Sequence, residues 1–190
     1  RQAPVDDGAR GEGVADGAGG GVEQAADGAA AGRAAAPGGG VGVIFIGCDP
    51  GASGAVALLG PGGATPETIH LDATPADVWA FLDGRAHGGA FALLERVSAM
   101  PRQGVASTFK FGTSYGRLQG FLVAAGIPYE EVTPGTWQRA MGCLSKGDKR
   151  VTKRKAQELF PALKVTHAVA DALLLAELAR RLHASRASKP

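Results

Sequence analysis

The stretch GVIFIGCDPGASGAVA, residues 42–57, decides the fold. An apolar run ends in one acid, Asp49, turns on Pro50, Gly51 and Gly54, and runs apolar again. That pattern predicts a strand, a tight turn and a returning strand. Alternation puts Ile44, Ile46 and Cys48 on one face of the first strand and Phe45, Gly47 and Asp49 on the other. An acid that ends a buried strand is costly unless a cation or a donor compensates it, so Asp49 requires partners.

Outward from this hairpin, GPGG at 60–63 is a second turn, and TPETIHL at 65–71 a third strand weakened by Pro66. Thr74–Pro75 reads as an N-cap with proline at the first helical position. Val78, Phe81 and Leu82 share one face of the helix that follows, which Gly88–Gly89 breaks. AFALLE at 90–95 is apolar on both faces, as in a central strand of a covered sheet, and it ends in Glu95. Ala106–Ala125 has helical spacing at Tyr115, Leu118 and Leu122, weakened by Gly112, Gly116 and Gly120. Tyr129–Val132 is a short fifth strand, Thr133–Pro134 starts a helix through Met141, and Val151–Phe160 is a helix stopped by Pro161. Thr166 caps a last helix from Ala168 to about Ser185. The order predicts an α/β domain in which Asp49 and Glu95 both end apolar strands, the edge of an open sheet where ligands gather.

Composition bounds the rest. The 190 residues suit one compact domain and a tail. Residues 1–40 are mostly Gly, Ala and acids, and such a segment is expected to be a disordered leader or linker. Its acids make it unlike a transit peptide, although it suits the linker left after one is removed. A chain opening on Arg1 rather than Met reads as a processed or trimmed fragment. The domain is expected over 41–185, with 186–190 as a tail. The leader has a net charge of −3 within a total of +2, which leaves +5 on the remainder and suggests a polyanionic partner. Cys48 and Cys143 do not make a disulfide framework, and they imply a reducing compartment. No apolar run is long enough to span a membrane, and no signal-peptide pattern is present.

The third acid lies in THAVADALLLAELA. His167 and Asp171 are four apart and share a helical face among apolar residues. Such a pair is either a satisfied buried polar group or a ligand set. Three acids, each at the edge of a buried element in a basic domain, favour the second. In-line cleavage of a phosphodiester needs charge neutralised at the attacking and leaving oxygens, and two divalent ions on carboxylates supply that. Hard Mg²⁺ prefers oxygen ligands and keeps several waters, so three carboxylates suffice. His167 would position or deprotonate the attacking water, or bind one ion.

These stretches resemble a known family. GCDPGASGA resembles the first-strand signature of the RuvC Holliday-junction resolvases, LLERV their second acidic strand, and HAVADALLLAELA their last acidic helix. STFKFGTSYGRLQGFL and VTPGTWQRAMG are similar to the steps between. The likeness covers roughly residues 43–183. It implies an RNase H-like fold, a five-stranded mixed sheet with helices on both faces. It also implies a homodimeric, Mg²⁺-dependent endonuclease that nicks two strands of a four-way DNA junction symmetrically. Each active site would hold two Mg²⁺ ions, with Mn²⁺ as a substitute. Asp49, Glu95 and Asp171 match the acidic metal ligands and His167 the fourth catalytic position. By that analogy Asp49 bridges both ions, with Glu95 on one and Asp171 on the other. The His–x–x–x–Asp form is more similar to the plastid, monokaryotic-chloroplast branch, which implies a chloroplast nucleoid location. A bacterial or phage source would make it cytoplasmic.

The DNA would be held elsewhere. Lys146, Lys149, Arg150, Lys153, Arg154 and Lys155 are six cations in ten residues, balanced within the run only by Asp148. They are expected to track phosphates. Phe109, Lys110 and Phe111 alternate aromatic and basic residues, suited to wedging against bases, with core packing as the competing reading for the two rings. Arg117 is a further candidate, Arg96 and Arg102 weaker ones. Trp79 and Trp137 are assigned to packing. Small Gly54–Ala55 would let a phosphate backbone approach Asp49. The Ala106–Ala125 helix is the candidate dimer surface. Two other classes compete: an ATP-binding actin/sugar-kinase-like domain, which needs a second related domain, and a non-catalytic junction-binding protein.

Overall fold

The computed structural model describes residues 42–51, 53–96, 98, 104–145 and 147–188. The leader at 1–40, Lys146, Arg102 and the end of the tail lie outside them. The elements in order are β1 (Ile44–Asp49), β2 (Ala55–Leu59), β3 (Glu67–His70), α1 (Pro75–Leu82) and β4 (Ala90–Glu95), followed by α2 (Val105–Ala124), β5 (Tyr129–Val132), α3 (Pro134–Ala140), α4 (Lys149–Leu159) and α5 (His167–Ala187). The strands form one mixed sheet, ordered β3-β2-β1-β4-β5. β1, β2 and β3 are antiparallel neighbours, while β4 and β5 run parallel to β1.

Alternation along β1 sorts the core as its sequence requires. Ile46 and Cys48 pack with Val78 and Leu82 of α1 and Leu118 and Leu122 of α2. The opposite face, with Ala57 and Leu93, packs under α5, Trp137 of α3 and Ala156 of α4. Gly47 faces α5, and a Cβ there would run into the Ala172 carbonyl oxygen and the Ala176 amide and come within 2.9 Å of the Leu175 Cβ. The missing side chain therefore lets the last helix lie flush on β1. α5 answers with a run of buried residues from Ala172 to Ala179.

Local signals place most boundaries. Thr74 caps α1 reciprocally with Asp77, and Pro75 opens it. The helix ends at Leu82 rather than reaching Gly88–Gly89, because the chain turns at Gly84 with φ +75°. α2 persists through its glycines because Leu118 and Leu122 are buried on the sheet. α4 begins at Lys149, earlier than Val151, because Asp148 accepts the Arg150 amide at 2.9 Å as an N-cap.

Candidate active site

The parallel register sets Cys48 beside Leu94, so Asp49 and Glu95 end neighbouring strands on the face that α5 covers. α5 begins at His167, and one turn later Asp171 comes down against the same edge. Three of the four expected catalytic residues thus meet electrostatically. The Asp49 carboxyl senses both Glu95 and Asp171. It is buried, and its Oδ1 accepts the Gly51 amide at 2.9 Å. His167 is exposed at the rim, one helical turn before Asp171.

Crowding of like charges out of water has a measurable signature. Burial pushes the Asp49 carboxyl up to about 6, with the charge of Asp171 adding to it and the Gly51 amide opposing. Burial, then the charge of Asp49, pushes Glu95 up to about 7. The two carboxyls lie close enough for each to move the other's proton affinity. Burial also raises Asp171, while Thr152, Lys149 and His167 act against it. Its Oδ1 is buried and has no hydrogen-bond partner.

That orphaned oxygen, together with carboxylates held above their ordinary pKa, is a donor set suited to a hard divalent cation. Among the described residues, no group of three or more His, Cys, Asp and Glu side chains is arranged around a single ion position.

Several neighbours were not legible as site residues. Trp137, assigned to packing, is fully buried and also donates its indole N–H to Glu95 Oε1 at 2.8 Å. Lys149, expected only on phosphates, stands close enough to act on both Asp49 and Asp171, since α4 starts early. Thr152, beside Asp171, gave no signal beyond one hydroxyl in a basic run. The reading of Gly54–Ala55 as an opening for phosphate needs correction. Ala55 is fully buried, and a Cβ on Gly54 would meet the Asp49 carbonyl and lie 2.8 Å from the Gly51 backbone. The small residues there serve the turn, closed by the Gly54 amide on the Gly51 carbonyl at 2.8 Å.

The expected DNA-binding residues fall on two sides of the acids. On one side, a cleft of about 600 Å³ is lined by Arg150, Lys153, Arg154 and His167. Asp148 is not the sole counter-charge there: Glu158 pairs with Arg154 at 3.8 Å and Lys155 at 3.7 Å. On the other side, a hollow of about 270 Å³ joins Gly51 to Phe109, Lys110 and Arg117. Phe109 is 75% exposed, while Phe111 is half-buried on the row that leads to Tyr115 and Leu118 and does not line the hollow. A larger cleft of about 780 Å³, by Phe45, Phe160 and Arg180, contains none of the expected site residues.

A five-stranded mixed sheet of this order, with helices on both faces, is an RNase H-like fold, as in solved RuvC structures. The likeness is to a particular solved protein, Thermus thermophilus RuvC in complex with a Holliday junction substrate. The match covers 75% of this chain and 96% of that one, at 18% identity and a TM-score of 0.51. A second Thermus thermophilus RuvC structure matches at 17% identity over 76% of this chain and 97% of that one, with a TM-score of 0.47. No protein-family model and no curated protein matches the chain.

Proposed function

We propose that this chain is a metal-dependent endonuclease that resolves four-way DNA junctions. The observation that carries the reading is the convergence of Asp49, Glu95 and Asp171 from β1, β4 and α5, with an unsatisfied buried oxygen among them. A sugar-kinase-like ATP site would require a second related domain, and the described residues form one sheet. A non-catalytic junction binder would have no use for three destabilising acids.

Asp49 and Glu95 would hold one Mg²⁺ ion, and Asp49 and Asp171 a second. When bound, such ions neutralise charge on the attacking and leaving oxygens and lower the pKa of water. His167, exposed at the rim, takes the proton of the attacking water. Lys149 offsets the charge of Asp49 and Asp171 and tunes how strongly that edge attracts cations. Phosphates run along Arg150, Lys153 and Arg154 on one side and Lys110 and Arg117 on the other. Phe109, free of the core, wedges against bases. Two symmetric nicks require two sites, hence a homodimer, and the exposed Val105 and Val123 on α2 favour that helix as its surface. The His167–Asp171 spacing favours a plastid compartment.

A gel assay on a synthetic four-way junction tests the reading. Asp49→Asn should retain junction binding and lose nicking in Mg²⁺. Undiminished cleavage by that variant refutes the assignment.

A further inference from the structure

We infer that Trp137 is a positioning residue, whose indole N–H fixes the Glu95 carboxylate for metal binding. The inference rests on the metal-dependent reading above and assigns a role to a side chain outside the acidic set.

A glutamate has one more rotatable side-chain bond than an aspartate, so Glu95 at its strand end has rotamer freedom that Asp49 lacks. The structure removes that freedom from outside. Trp137 lies in α3, the short helix entered through Thr133–Pro134 directly after β5. Its ring is fully buried among Leu93, Cys143 and the α5 residues of the same cluster. A ring so enclosed has one orientation, and it aims Nε1 at Glu95 Oε1 over 2.8 Å. The bond spans 42 positions in sequence and ties α3 to β4 at the site. A buried indole N–H without an acceptor is costly, so the ring and the carboxylate constrain each other. Once Oε1 is occupied by this donor, Oε2 is left for a cation. An outer-shell donor of this kind orients a metal ligand, and losing it typically weakens metal affinity by roughly 10- to 100-fold.

Replacing the indole by phenylalanine would also leave a cavity, so packing and donation must be separated. With Trp79→Phe as background, Trp137 is the chain's one tryptophan. Growth of a tryptophan auxotroph on 3-benzothienylalanine then places at 137 an isostere that keeps the ring volume and lacks the N–H. Mg²⁺ binding to the metal-free protein is measured by calorimetry, folding by thermal melting, and junction binding by gel shift in EDTA. We expect the isostere protein to melt cooperatively and bind the junction as the Trp79→Phe parent does, while its Mg²⁺ affinity falls by roughly tenfold or more. Trp137→Phe should lose at least as much affinity and some stability besides.

Equal Mg²⁺ affinity in parent and isostere overturns the positioning role and leaves the metal reading standing. A parent that binds no Mg²⁺ overturns both. A parent that binds Mg²⁺ with a tryptophan emission change that Glu95→Gln abolishes supports the coupling independently of cleavage.

Discussion

The metal-free domain should lose stability as pH rises from 5 to 8, the reverse of what ordinary carboxylates do. Burial lifts Asp49 from 3.8 to about 6 and Glu95 from 4.5 to about 7. An acid whose folded pKa exceeds its unfolded value binds its proton more tightly when folded. Its penalty is absent below the unfolded pKa, grows between the two values and is complete above the folded one. At about 1.4 kcal/mol per unit, Asp49 alone accounts for roughly 3 kcal/mol by pH 8. Glu95 adds to this, though by less than an independent group, because the two carboxyls act on each other. Glu130 and Glu177 have the opposite sign: arginine partners hold both low, and their contribution is lost only toward acid pH. Urea unfolding in EDTA, in half-unit steps of pH, reads the slope directly. Asp49→Asn should flatten it and raise stability at pH 8, and Mg²⁺ should restore the wild-type protein at that pH by mass action. A flat or rising profile in EDTA would refute the claim that these acids are buried against one another.

Two further outcomes follow from the packing of α5 and from the basic cleft beside it. Gly47→Ala should destabilise the domain by about 3 kcal/mol or more in chemical denaturation, because α5 must move off β1 to admit a Cβ. Lys153→Ala with Arg154→Ala should weaken junction binding and reduce the slope of log K against log salt by roughly 0.9 for each phosphate no longer neutralised, with little effect on melting temperature.

What the sequence disclosed followed from periodicity. Alternation around Asp49 sorted both faces of β1, and the apolar run ending in Glu95 marked a central strand. The spacing of His167 and Asp171 set both at the start of α5. Turn and cap chemistry fixed the boundaries at Thr74, Pro134 and Pro161. What stayed hidden depends on neighbours brought together from far along the chain. Trp137 looks like any core aromatic until β4 and α3 are adjacent. Gly47 gives no hint that a helix from the far end of the chain will press on it. Lys149 was one cation among six, and only the N-cap at Asp148, which starts α4 early, turns it toward the acids. Phe109 and Phe111 are alike in sequence, and only the docking of α2 makes one exposed and the other half-buried.

The distance along the chain between the acids has a consequence for synthesis. Asp49 and Glu95 come from the first half of the domain, and Asp171 arrives with the final helix, whose docking on β1 also completes the core. A chain still emerging from the ribosome has two acids in place and no third. The acidic set is therefore incomplete until α5 has been made and has settled over Gly47.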